Sequence, residues 1–102
     1  MNDTDLKRSH LALKRELPNG MILLEKVGPV YFAFGEDALV ASGILGLHVW
    51  TYCKGWKGVP TVNFQESRVD TFLAKIIRVG KSVAISEHIA EGRRAVTRVI
   101  TP

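Results

Sequence analysis

Four side chains with nucleophilic, acid–base or metal-binding chemistry lie scattered along the chain: His10, His48, Cys53 and His88. A thiol beside an imidazole makes a nucleophile–base pair, and His and Cys at short regular spacings hold zinc. Neither spacing occurs here. Glu87 and His88 are adjacent on an expected strand, so they point to opposite faces and are poorly placed to share a proton. Glu36 and Asp37 are a carboxylate pair, but at the start of a helical stretch two acids serve the positive end of the helix dipole. The loop "CKGWKG" sets Lys54, Trp56 and Lys57 among glycines. It has neither the Walker spacing nor a Ser or Thr after the lysine. Its lysines can reach phosphates and its indole can lie on a sugar or a base. A solvated loop whose Trp56 packs on the body fits this stretch equally well. These residues point to no catalysis, no metal and no cofactor.

The chain has 102 residues, room for one domain spanning 1–102, with residues 1–5 expected as a flexible tail. A domain of that size buries roughly 60–70% of the surface its unfolded chain exposes. At 46% apolar and 24% charged the composition is that of a globular protein, with no low-complexity tract. The single cysteine excludes an internal disulfide and fits a reducing compartment. "MNDTDLKRSH" is polar and lacks the apolar region of a signal peptide, and the apolar runs are too short to cross a bilayer. A soluble, cytoplasmic protein with no membrane partner is expected. The net charge of +4 permits an anionic partner. Positive charge gathers in the second half of the chain, where Lys54, Lys57, Arg68, Lys75 and Arg78 outnumber Glu66 and Asp70.

Leu6, Leu13 and Leu17 recur at a roughly helical spacing and predict an amphipathic helix over 5–17, ended by Pro18 and Asn19-Gly20. "MILLEKV" is short, apolar and bounded by turn residues, a strand; "VYFAF" is a second, joined to it by a Gly28-Pro29 turn. A helix over 36–46 follows, closed by Gly46, with Ala38, Ala41, Ser42 and Gly43 as a small face for close packing. "LHVWTY" reads as a strand, and "VPTVNF" as an extended piece whose Pro60 argues for an edge or a bulge. Val69, Phe72, Leu73, Ile76 and Ile77 keep the helical period and predict a helix over 67–79, with Ser67 and Asp70 as a capping box. "KSVAISEH" and "RAVTRVITP" are the last strands, joined by "IAEGR". The order α-β-β-α-β-β-α-β-β predicts an α/β domain, one mixed sheet of about six strands with helices against it.

In this order and spacing the segments resemble the N-terminal mismatch-recognition domain of the MutS family of DNA mismatch-repair proteins. "ILLEKVG" is similar to the family's first strand and glycine turn, and "VYFAFGEDALVASGILGL" to its second strand, "GEDA"-type helix start and small-residue helix. "KGVP" resembles its "AG(I/V)P" segment; "FLAKIIRVGKSVAISEHI" and "RAVTRVITP" resemble its last helix and strands. The match runs from about residue 6 almost to the end. In bacterial MutS the residues after the first glycine read Asp-Phe-Tyr-Glu; the Phe wedges into DNA at the mispaired base and the Glu hydrogen-bonds that base. Here those positions are Pro29, Val30, Tyr31 and Phe32. Val30 is too short to stack, and Phe32 cannot accept a hydrogen bond. Strand alternation sets Val30 and Phe32 on one face, so Phe32 as a displaced wedge is geometrically open.

The resemblance implies a MutS domain I-like fold. Because the sequence stops at the "TP" boundary, a stand-alone domain is expected, without the family's connector, lever, clamp and ATPase domains or their ATP. The first expectation for function is a non-catalytic module that holds double-stranded DNA weakly and without sequence preference. Val30, Tyr31 and Phe32 would face the groove, while Lys54, Trp56, Lys57 and Arg68 contact backbone. The second is a protein-interaction module, in which Val30, Tyr31 and Phe32 form an apolar patch for another repair or replication protein or for a second copy.

Overall fold

The structure, a computed structural model, describes residues 3–52 and 56–102. Gly28 and Pro29 make the tightest local decision in the first half. Gly28 has φ +57°, the value a two-residue hairpin needs at its first position, and Pro29 supplies a fixed negative φ at the second. The hairpin joins β1 (Ile22–Val27) to β2 (Val30–Phe34), with Val27 opposite Val30 and Glu25 opposite Phe32. Ahead of it lies α1 (Asp3–Glu16); after it come α2 (Glu36–Leu45), β3 (Trp50–Tyr52), β4 (Val59–Gln65), a 3-10 turn (Glu66–Arg68), α3 (Val69–Arg78), β5 (Val83–Ala90) and β6 (Arg93–Ile100). The strands form one sheet in the order β3-β4-β2-β1-β5-β6. Only β1 and β5 run parallel; the other neighbours are antiparallel. The α/β architecture and element order are those the sequence predicts.

One face of the sheet carries the apolar core. Ile22, Leu24, Tyr31, Ala33, Val62, Phe64, Val83 and Ile85 meet Ala38, Ala41 and Leu45 of α2 and Phe72, Leu73 and Ile76 of α3. Phe64 is the hub, stacked on Tyr31 at 5.3 Å and edge-on to Phe72 at 4.9 Å. The close seat of α2 comes from Ala38 and Ala41, both fully buried. Gly43 has no part in it: it is exposed, and a Cβ there would meet nothing within 4 Å. Gly46 caps α2 in the left-handed conformation, its N–H donating to the Ser42 carbonyl. Ile77, at the rim of the α3 stripe, is half-buried.

Several local expectations need correcting. Residues 3–5, expected in the tail, are the first residues of α1. Ser67 and Asp70 form no capping box; Ser67 lies inside the 3-10 turn, and α3 starts after Arg68 with no side-chain cap. The last hairpin is tighter than "IAEGR", because β5 runs to Ala90 and only Glu91-Gly92 turns. Pro60 sits on neither an edge strand nor a bulge, since β4 is flanked by β3 and β2. In an antiparallel ladder a residue's N–H and C=O point the same way. The Pro60 carbonyl accepts from the Gly35 N–H at 2.8 Å, so its missing donor faces the point where the chain leaves the sheet for α2. No ladder bond to β3 is lost.

Candidate nucleic-acid interface

The other face of the sheet is built differently. Strand alternation turns Val30, Phe32 and Phe34 of β2 toward it, with Asn63 opposite Phe32 and Gln65 opposite Val30 on β4. Val30 and Phe32 are half-buried, and Phe32 lies parallel to Phe34 at 5.9 Å. Phe34 is buried and carries Trp56 at 4.8 Å, and His10 of α1 closes the group at 5.3 Å from each. On edge strand β3, the Trp50 indole N–H donates to Asn63 Oδ1 at 2.7 Å. Trp56 therefore packs partly on the body, as one of the two readings of its loop had it.

The structure gathers the expected residues only in part. Val30, Phe32 and Trp56 share this face. Tyr31 does not: it points into the core, 6% exposed, and its ring is used against Phe64. Its place on a DNA-facing or apolar docking surface is corrected accordingly. Lys57 is exposed beside Trp56 at the start of β4, while Arg68 follows the end of β4, exposed, with its guanidinium 4.8 Å over the Phe72 ring. A strand of that length separates them by about 20 Å. Arg68 stays near the β1–β2 turn, because the Glu66 N–H donates to the Pro29 carbonyl at 2.8 Å. Lys54 and Cys53 lie outside the described residues.

The β1–β5–β6 half of the same face hides a charged cluster that sequence reasoning missed. Glu25 is fully buried. It accepts from His10 Nδ1 at 2.6 Å and from Arg94 Nε at 3.0 Å. The Arg94 guanidinium also donates to the carbonyls of Lys26 and Ser86. Burial alone would push the Glu25 carboxyl up, but the His10 hydrogen bond and charge, with the Arg94 charge, outweigh it and hold the group below its ordinary value of 4.5. The signals were a Glu inside the apolar run "ILLEKV" and a His four residues after Leu6, on the apolar stripe of α1. Asp37 belongs to the same polar framework. It accepts the Leu23 N–H at 3.0 Å and pairs with Lys14 at 2.8 Å, so it joins α2 to β1 and α1 as well as lying in the first turn of a helix. Lys14 also donates to the Met21 carbonyl. His48 and His88 are exposed and have no part in either cluster. Among the described residues no three His, Cys, Asp or Glu side chains are grouped to hold a metal, and no helix is long and apolar enough to cross a membrane.

A hairpin feeding a six-stranded mixed sheet, with two helices on its apolar face and a third on the polar one, is the architecture of MutS domain I. Residues 4–102 match the family described as MutS domain I, and the chain belongs to that family. It is 35% identical over 108 residues to the DNA mismatch repair protein MutS of Porphyromonas gingivalis, a match covering 98% of this chain and 12% of that protein. MutS of Flavobacterium psychrophilum is 32% identical over 113 residues, covering 100% of this chain and 13% of that protein. MutS of Thermodesulfovibrio yellowstonii is 32% identical over 107 residues, covering 97% and 12%. The chain thus spans about 12% of the length of these curated relatives.

Proposed function

We propose that this MutS domain I module is non-catalytic and holds duplex DNA through its backbone, without the Phe-x-Glu mismatch readout of bacterial MutS. The observation that carries the reading is the placement of Val30 and Phe32. They stand side by side on the face of β2 turned away from the core, at the positions that resemble the family's wedge and glutamate. Val30 has no ring to insert beside a mispaired base, and Phe32 has no oxygen to accept from one. Lys57 and Arg68, exposed at the two ends of β4, are the phosphate contacts this geometry favours, and Lys54 is a third from the sequence. The apolar docking alternative loses one of its three residues, since Tyr31 lies in the core, while Val30 and Phe32 stay half-buried on the outer face beside the exposed Val27.

Binding measured across a salt series on matched and G·T duplexes tests this. The expected Kd is around 10⁻⁴–10⁻⁶ M at physiological salt, weakening steeply as salt rises. Lys57→Ala should reduce the log–log salt slope by about 0.9, equally on both duplexes. Val30→Phe with Phe32→Glu should create a G·T preference. A tenfold G·T preference in the unaltered protein overturns the loss of readout. Absence of binding at low salt, with self-association through Phe32, overturns the DNA reading itself.

A further inference from the structure

The three strands on the hairpin side of the polar face, β2, β3 and β4, contain no charged residue at all, although the chain is 24% charged. What their outer face presents is mainly aromatic and amide, with Val30 and Val59 as half-buried aliphatic members. Phe32, Trp50 and Trp56 are all half-buried, and so partly open to solvent, while Asn63 and Gln65 are exposed between and beside them. The amides are placed by register: Asn63 lies opposite Phe32, and Gln65 opposite Val30. Asn63 uses its Oδ1 to hold the Trp50 indole, which leaves its NH₂ as a donor. Lys57, exposed at the rim next to Trp56, adds a cation, and Glu25, the carboxylate on the neighbouring strand, is sealed under His10 and Arg94.

Aliphatic docking surfaces need neither flat rings nor amides. Unpaired nucleobases need both: a π-face to stack on, and donors and acceptors for the edge that pairing would otherwise occupy. A fully paired duplex offers such a surface a base face only after a step is unstacked, at a few kcal/mol, whereas a single strand offers it without that cost. We infer that this aromatic–amide face of β2–β4 binds unpaired bases of single-stranded DNA. Phe32, Trp50 and Trp56 are the stacking platform, Asn63 and Gln65 reach the base edge, and Lys57 meets the adjoining phosphate. The inference rests on the reading of the chain as a DNA-associated module and extends it from the backbone to the base. Phe32 then has a use at a position where it cannot replace a glutamate: it offers a stacking surface.

The test uses the full chain and its own fluorescence, since Trp50 and Trp56 are its only two tryptophans. An oligothymidine of about eight nucleotides, within the range one small domain covers, is compared with an abasic oligomer of the same length and charge. The oligothymidine should bind about tenfold more tightly and quench the tryptophan emission, because one stacked base is worth that much. The abasic strand, which offers only phosphates, should leave the emission unchanged. Phe32→Leu keeps an apolar side chain but removes its ring, and should erase most of the difference between the two oligomers. Circular dichroism matching the unaltered protein establishes that this variant is folded. Equal binding of both oligomers with unchanged emission, while a duplex still binds, overturns this inference and leaves the backbone reading standing. If duplex and both oligomers fail to bind at low salt, both fall together.

Discussion

The two faces of the sheet solve the same problem with different materials. Under α2 and α3 the contact is hydrocarbon on hydrocarbon: Ile22, Leu24, Val83 and Ile85 against Phe72, Leu73 and Ile76. Under α1 it is mixed, because Leu23 and Ala84 alternate onto that face and are fully buried, yet the specific contacts are polar. Leu6 and His10 are the buried side chains described on that helix, and its fastenings are His10 to Glu25, Lys14 to Asp37 and Lys14 to the Met21 carbonyl. Apolar burial is roughly proportional to area and forgiving of small shifts. A buried ion pair works only while both partners are present. The first face therefore accounts for stability. The second fixes where one helix sits and leaves Phe32 partly exposed and Asn63 and Gln65 exposed on the rest of the sheet.

The comparison breaks most visibly at Arg94. Arg94→Leu leaves Glu25 buried beside His10 without its guanidinium partner, and should cost about 3–5 kcal/mol in urea unfolding. Adding Glu25→Leu should recover most of that loss, because replacing both charges with apolar groups removes the desolvation penalty as well as the attraction. If the double variant is no better than the single one, the polar face stabilises the fold directly. Ile76→Ala on the apolar face should cost about 2–5 kcal/mol, and no second substitution across the sheet should rescue it, since the loss is transfer energy plus a cavity.

Acid sharpens the contrast without any substitution. Glu25 titrates below its ordinary 4.5 in the folded protein, so the unfolded chain takes up the proton first as pH falls. Its contribution is fully present above the unfolded value and is lost as pH drops through the folded one. Unfolding free energy should decline below about pH 4.5, and Glu25→Leu with Arg94→Leu should flatten that part of the profile. The smallest effect is expected at Gly43. Its helical backbone is not of positive φ and a Cβ there would touch nothing, so Gly43→Ala should raise stability by up to about 1 kcal/mol in thermal unfolding.

The core was legible because its signals are local. The spacing of Phe72, Leu73 and Ile76 announced α3, and Gly28-Pro29 announced the hairpin. Alternation also puts Tyr31 on the face opposite Val30 and Phe32, so grouping all three followed neighbourhood in sequence where period two decides. The polar cluster was illegible for a different reason. Glu25 and Arg94 are 69 residues apart, and each reads singly as a charge on a strand. Lys57 and Arg68 form a pair by composition, and only the extended backbone of β4 between them shows that they stand at opposite ends of the surface.

That 69-residue separation has a consequence during synthesis. At about 5–20 residues per second, Arg94 follows Glu25 out of the ribosome after roughly 3–14 seconds. For most of that interval β1 has no β5 to pair with, and throughout it the Glu25 carboxylate has no Arg94 guanidinium to meet. The nascent chain can close the β1–β2 hairpin and seat α2, but burying Glu25 under α1 would leave it with His10 and without the Arg94 guanidinium. The helix that precedes β1 in the chain is therefore expected to dock only after β6 has been made.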